Sequence, residues 1–205
     1  MNAEKFKSRL KDVFQSGLPG LKAHLLAAPP FRVSSFTVEN VKVARQASVV
    51  WLMYPEEGEG KGVLIKRAPY DGVHSGQIGL PGGEREAADG SDLECALREC
   101  WEEVGVKLDK GDVVGALTPL YIQPSKFYVR PYFAIVNEKP KFVLDPKEVS
   151  EVLFIGVDRL CGEELWSDFK MKEGMVPGFE LDGNVVWGAT AMILAEISEC
   201  IKFAQ

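Results

Sequence analysis

The stretch from residue 68 to residue 105 limits the possible folds more than any other part of the chain. Its first part, residues 68–91, is rich in Gly and Pro, and a loop of that length inside a compact domain is usually a functional one. Ser91 and Glu94 then fit a capping box, apolar residues follow at spacings of three and four, and Gly105 suits the position after a helix end. The sequence therefore predicts a helix over 92–104 that begins at a functional loop and packs one face on a core.

Apolar segments on both sides of this helix predict a sheet. Runs rich in β-branched and aromatic residues are typical of strands, and they occur at 47–53, 63–65, 113–122, 127–136 and 152–155. A Glu/Gly-rich loop over 56–62 joins the first two runs as a hairpin. Helical spacing predicts one helix from Asn2 to Gly17 and another over 189–203. Together these elements predict an α/β (α+β) fold.

Length and charge exclude several classes of function. A chain of 205 residues suits one domain with an addition, so we assign residues 1–40 to an N-terminal helix with an extended lead-in and residues 41–205 to the main domain. The net charge of −6, without a run of Lys or Arg, argues against a nucleic-acid partner. The sequence also lacks an apolar run long enough for a membrane span. The four cysteines lack C-x-x-C spacing, which indicates reduced thiols and a cytoplasmic location; a homodimer is possible.

Three acidic residues of the predicted helix share one side of it. Glu99, Glu102 and Glu103 stand at positions i, i+3 and i+4, so their carboxylates lie along one arc of the helix surface. Carboxylates are the ligands that Mg²⁺ and Mn²⁺ prefer. The alternative is a solvated acidic face, because surface helices are rich in Glu. The sequence around the three residues favours the metal site.

That surrounding sequence resembles the Nudix box. Gly82-Gly83 and Asp89 precede the string Arg98-Glu99-Cys100-Trp101-Glu102-Glu103-Val104-Gly105-Val106. The resemblance implies a Nudix α/β/α sandwich with a mixed β-sheet and a loop-helix-loop metal site for Mg²⁺ or Mn²⁺. It also implies that Glu99, Glu102, Glu103 and the Gly82 carbonyl hold the metal. The resemblance implies that Glu99, Glu102, Glu103 and Arg98 are the catalytic residues. We expect Arg98 to pair with Asp89 or Glu102 and to order the loop.

The loop before the box is similar to that of one branch of the family, the coenzyme A diphosphatases. Asp89 in place of Glu and the eight residues between Asp89 and Arg98 match that branch, as do His74-Ser75-Gly76-Gln77 and Pro81-Gly82-Gly83. Ile65, Gly72 and Leu80 depart from its usual residues. The resemblance implies that Arg67, His74 and Gln77 contact the substrate, although a hydrogen bond that fixes the loop is an equal alternative for His74. Trp101 and Trp187 are expected in the core, and Cys95 and Cys100 as packed thiols.

The resemblance implies metal-dependent hydrolysis of the diphosphate bond of coenzyme A or acyl-coenzyme A. The products are 3′,5′-ADP and 4′-phosphopantetheine, or its acyl form. One alternative keeps the chemistry but uses another small nucleotide substrate, such as ADP-ribose, NADH or a nucleoside triphosphate. Another alternative is a nucleotide-binding module without catalysis, which the intact set of acids argues against. The general base stays open among Glu99, Glu148 and Glu151.

Overall fold

A computed structural model of the chain describes residues 3–32, 41–172 and 174–205. The helices are α1 (Ala3–Ser16), α2 (Leu21–Leu26), α3 (Asp92–Val104), α4 (Val157–Cys161) and α5 (Gly188–Ala204). The strands are β1 (Arg45–Glu56), β2 (Glu59–Arg67), β3 (Ile78–Gly79), β4 (Gly82–Glu84), β5 (Val113–Ala116), β6 (Leu120–Ile122), β7 (Phe127–Ile135), β8 (Val149–Gly156), β9 (Ser167–Met171), β10 (Gly174–Leu181) and β11 (Asn184–Trp187). Asn2 and part of the predicted lead-in, residues 33–40, lie outside the described residues.

The main sheet is mixed, as the sequence predicts. Strand β1 lies at its centre, where it pairs in parallel with β7, residues 45–53 facing residues 127–135. Every other pairing in this sheet is antiparallel: β2 and β4 with β1, β3 and β8 with β2, and β5 and β6 with β7. Because β4 pairs with β1, the functional loop and helix α3 that follows it lie next to the central strand of the sheet.

Helices cover both faces of the main sheet. Strand side chains alternate between the faces, so Val50 and Leu52 pack in one cluster with Cys100 of α3. Trp51 and Met53 point the other way and pack in a second cluster, which holds the buried faces of α1 and α5. The continuous apolar run at 47–53 therefore results from a strand buried on both sides. This α/β/α arrangement is the predicted fold class.

A second, three-stranded antiparallel sheet of β9, β10 and β11 was not predicted from the sequence. Gly174, Pro177 and Gly178 interrupt the β10 segment and weaken its strand signal. The sheet is nevertheless anchored in the core, because Phe179 is fully buried and its ring packs edge-on against that of Trp166, with 5.4 Å between the ring centroids. It covers part of α5, which also contacts α1, α2 and α4.

Several local predictions were wrong. Helix α2 lies in the predicted extended lead-in, β3 and β4 lie in the predicted loop, and the predicted strand over 113–122 is interrupted between β5 and β6. The hairpin loop predicted at 56–62 is a two-residue turn, because Glu57 and Gly58 both adopt positive φ, 51° and 86°, the backbone that joins two twisted strands tightly. Trp101 is not a core residue: it points away from the sheet and is 58% exposed. The apolar face of α3 ends at Cys100 and Val104, both fully buried.

The described residues before 41 pack on the rest of the chain. Phe6 and Leu10 of α1 are buried in the cluster that contains α5, and Arg9 Nη1 donates to the Gln205 carbonyl at 2.8 Å. The division at residue 40 stays a prediction. All four cysteines are free thiols, and no helix among the described residues is long and apolar enough to cross a membrane.

Candidate metal centre and adjoining groove

Helix α3 has the predicted bounds because local signals determine both of its ends. The Ser91 hydroxyl accepts a hydrogen bond from the Glu94 N–H at 3.2 Å, and Gly105 ends the helix in the left-handed conformation with φ 71°. On the loop side, Gly82 has φ 149°, and a Cβ there would collide with the backbone of Ser48 and Val49 on β1. Glycine therefore allows β4 to lie close to β1 and opposite α3.

Glu103 lies at the inner edge of this arrangement and is only 1% exposed. Its Oε2 accepts from the Gly82 N–H at 2.7 Å, and its Oε1 accepts from Arg67 Nη1 at 3.3 Å. Burial raises the pKa of Glu103 to about 7, against the opposing effect of the Arg67 charge. The two hydrogen bonds orient the carboxylate without compensating fully for its loss of water.

Three carboxylates converge at this point. Ligand oxygens of Glu99, Glu103 and Glu148 lie within 4.8 Å of one another. Burial also raises the pKa of Glu99, and the Glu102 and Glu148 charges raise it further. Negative oxygens held this close repel one another unless a cation lies between them. Their hard oxygen donors fit Mg²⁺ or Mn²⁺.

The structure gives Glu148 a position that the sequence analysis did not predict. It was considered only as a general base, but its exposed carboxylate completes the three-acid group just before β8. Glu151, the other candidate for the base, is exposed and lies outside this group. A sequence signal exists in Glu148-Val149-Ser150-Glu151, but it does not distinguish one acid from the other.

Arg98 pairs with both of the predicted partners. Its guanidinium donates two hydrogen bonds of 2.9 Å to the Asp89 carboxylate. Its Nη1 also donates to Glu99 at 2.8 Å and to Glu102 at 2.7 Å. The bidentate pair lowers the pKa of Asp89 to about 2. Glu102 is 47% exposed and lies outside the three-acid group. Its role as a metal ligand stays a prediction.

The three predicted substrate residues have different contacts: Arg67 is the last residue of β2, and His74 and Gln77 lie in the loop that follows it. Arg67 reaches inward, where Nη2 donates to the Gly82 carbonyl at 2.8 Å while Nη1 contacts Glu103. His74 Nδ1 donates to Gln77 Oε1 at 3.0 Å, since a carbonyl oxygen can only accept, and Gln77 Nε2 donates to the Val73 carbonyl at 3.1 Å. His74 and Gln77 thus stabilise the loop, and their substrate contacts stay predictions.

A groove of about 600 Å³ adjoins the three-acid group. Arg67, Gly82 and Gly83 line it, and these residues also contact the carboxylates: a side chain at Gly83 would strike Glu99. His74, Gln77 and Trp187 also line the groove. Trp187 is therefore a half-buried groove residue rather than a full core aromatic. The groove can hold a molecule whose charged part reaches the carboxylates.

Comparison with known families decides the classification, because residues 44–175 match the NUDIX domain. The chain belongs to the NUDIX domain family. Among curated Nudix relatives, Nudix hydrolase 15, mitochondrial, of Arabidopsis thaliana is 29% identical over 189 residues, 80% of this chain and 65% of that protein. Uncharacterized Nudix hydrolase NudL of Pectobacterium atrosepticum is 30% identical over 140 residues, 66% of this chain and 72% of that protein. The chain thus spans less than two thirds of the first of these relatives.

Solved Nudix structures agree on the fold. A MutT/nudix family protein from Enterococcus faecalis superposes with a TM-score of 0.59 at 16% identity, covering 78% of this chain and 62% of that one. The MutT protein of Methanosarcina mazei gives a TM-score of 0.51 at 20% identity, covering 76% and 92%. At these identities the likeness extends to the fold only, so the chemistry must be argued from this chain's own Nudix box.

Proposed function

We propose that this Nudix chain is a divalent-metal-dependent diphosphatase that cleaves coenzyme A or acyl-coenzyme A. The products are 3′,5′-ADP and (acyl-)4′-phosphopantetheine. The observation that carries the proposal is the continuity between the three-acid group and the groove, which share Arg67, Gly82 and Gly83. The groove is lined by the loop whose sequence resembles that of coenzyme A diphosphatases. A diphosphate at the acidic end would leave room for the rest of the substrate along the groove.

The acidic end needs a cation before it can accept a diphosphate, because both carry negative charge. Glu99, Glu103 and Glu148 would hold Mg²⁺ or Mn²⁺, with Glu102 and the Gly82 carbonyl as the further ligands that the resemblance implies. A divalent cation supplies charge neutralisation of the phosphoryl oxygens and Lewis-acid activation of a water nucleophile. Metal dependence is therefore part of the proposal.

The protein residues contribute orientation and proton transfer. The Gly82 N–H and Arg67 hold the Glu103 carboxylate in one orientation, and Arg98 ties α3 to the loop through Asp89. Glu148 is assigned here to holding the cation, so the base that accepts the proton of the attacking water stays open between Glu99 and Glu151. Glu99 is committed to the centre by its burial and its contact with Arg98.

The test is a substrate panel with identification of products by mass. The protein is incubated with Mg²⁺ or Mn²⁺ and coenzyme A, octanoyl-coenzyme A, ADP-ribose, NADH or a nucleoside triphosphate, with and without EDTA. We expect 3′,5′-ADP from the coenzyme A substrates only when metal is present. A higher kcat/KM for ADP-ribose, NADH or a triphosphate would overturn the substrate, and no turnover of any substrate would favour a binding module.

Location and assembly are further parts of the proposal. The relatives from Arabidopsis are named as mitochondrial and chloroplastic proteins, whereas the acidic, thiol-containing chain here favours the cytoplasm. Fractionation of the cells that produce the protein tests the location, and sedimentation analysis of the purified protein distinguishes a monomer from a homodimer.

A further inference from the structure

The rim of the groove carries apolar side chains that the core does not use. Phe31, Tyr70 and Val73 are 49%, 51% and 57% exposed, and all three line the groove. Single exposed apolar residues are ordinary on protein surfaces, but a group around one concave site indicates a surface that a ligand covers.

The lining of the groove combines polar and apolar residues. Arg67, Gly82 and Gly83 line it where they contact the three-acid group. Pro29, Phe31 and Ile193 are apolar lining residues of the same groove. Arg32, next to Phe31, is buried, and its Nη2 donates to the Tyr121 carbonyl at 2.9 Å. The groove therefore suits a ligand that combines a metal-bound diphosphate with an uncharged apolar group.

Part of the apolar lining comes from outside the residues that match the family. Pro29 and Phe31 precede residue 44, where the match begins. Their turn is held in place because the Arg32 N–H donates to the Pro29 carbonyl at 2.9 Å and Ala27 is completely buried. Phe31 is thus presented to the groove by a fixed turn, which is how a rigid apolar anchor is built.

We propose that Phe31 is a specificity-determining residue that packs against the apolar chain of an acylated substrate and favours longer chains. This inference rests on the proposed function, since it assumes that the diphosphate lies at the three-acid group and that the rest of the substrate follows the groove. An acyl group of about eight carbons would bury apolar surface against the Phe31 ring that free coenzyme A leaves exposed to water.

The experiment compares Phe31→Ala with Phe203→Ala as a matched control. Phe203 is also an exposed phenylalanine, 69% exposed, and does not line the groove. For each variant, kcat/KM is measured with coenzyme A, butyryl-coenzyme A and octanoyl-coenzyme A, and thermal unfolding checks the fold. We expect the octanoyl-to-free ratio to fall about tenfold in Phe31→Ala and to stay unchanged in Phe203→Ala.

The outcomes separate this inference from the proposed function. If the unaltered protein hydrolyses all three substrates but Phe31→Ala changes them equally or not at all, the role of Phe31 is wrong and the proposed function stands. The same conclusion follows if chain length has no effect on the unaltered protein. If the unaltered protein hydrolyses none of the three, the proposed function fails and this inference fails with it.

Discussion

Two glutamates are almost completely buried among the residues that the structure describes, and their surroundings differ. Glu196 of α5 is completely buried, and its carboxylate accepts from the Gly20 N–H, the His24 Nε2–H, and both the N–H and the hydroxyl of Thr118, at 2.6 to 3.1 Å. Glu103 of α3 is equally buried but accepts from only the Gly82 N–H and Arg67, and two other carboxylates lie beside it.

The difference distinguishes a structural carboxylate from one suited to a cation. Four donors satisfy the oxygens of Glu196, so this residue fastens the N-terminal region and the segment before β6 to α5. Glu103 retains unused acceptor capacity in a place where burial raises its pKa to about 7. An incompletely paired carboxylate next to other acids costs stability, which is a common feature of functional sites.

Activity measurements on variants of the two glutamates test this comparison most directly. Glu103→Gln should lower kcat about a thousandfold, which corresponds to roughly 4 kcal/mol of transition-state stabilisation. Glu196→Gln should leave kcat per folded molecule unchanged, because Glu196 is outside the metal centre. Steady-state kinetics with saturating Mg²⁺ checks both. Full activity of Glu103→Gln would show that Glu103 does not hold the metal.

For the free energy of unfolding we expect a large loss at Glu196, the glutamate whose substitution should not affect kcat. Glu196→Gln replaces an acceptor oxygen by an NH₂ group that faces donors, so we expect the free energy of unfolding to fall by about 3 kcal/mol. Glu199→Gln on the same helix, where Glu199 pairs only with the exposed Lys202, should change it by less than about 0.5 kcal/mol. Urea unfolding measures both variants, and equal small effects would contradict the structural role of Glu196.

The pH dependence of stability sharpens the assignment of Glu103. Its folded-state pKa of about 7 lies above its ordinary value of 4.5, so stability is fully present below pH 4.5 and decreases as the pH rises through 7. In EDTA, Glu103→Gln should therefore be more stable than the unaltered protein by about 2 kcal/mol at pH 8 and equally stable at pH 4.5. Urea unfolding at both pH values provides the measurement, with the exposed Glu102→Gln as control. A pH-independent difference would show that ionisation of the buried Glu103 carboxyl is not the cause.

The smallest expected effect concerns the exposed member of the three-acid group. Glu148→Gln should raise the Mg²⁺ concentration needed for half-maximal activity about tenfold, because one charged ligand becomes neutral. Glu151→Gln lies outside the group and should leave that concentration unchanged. Glu102→Gln belongs in the same titration: if its effect exceeds that of Glu148→Gln, the set of ligands implied by the resemblance is better than the one the geometry favours.

Helix α3 and its acids could be predicted from the sequence because the signals are local. The Ser91 cap, the apolar spacing and Gly105 determine the helix within one segment of chain, and the spacing of Glu99, Glu102 and Glu103 places them on one side of it. The longer strands of the main sheet were found for the same reason, since each is a short apolar run, whereas β3 and β4 lie in the segment predicted as a loop. The sheet of β9 to β11 was not, because Gly and Pro in β10 obscure the pattern.

By itself, then, the sequence determined the fold class, the family box and which helix carries the acids, because each depends on residues that are neighbours in the chain. Only the tertiary structure decided that Glu148 joins Glu99 and Glu103 while Glu102 turns toward Arg98. Tertiary contacts also brought the turn at residues 29–32 into the lining of the groove. These arrangements depend on how distant segments pack on the two faces of one sheet, and neither residue spacing nor composition records that packing.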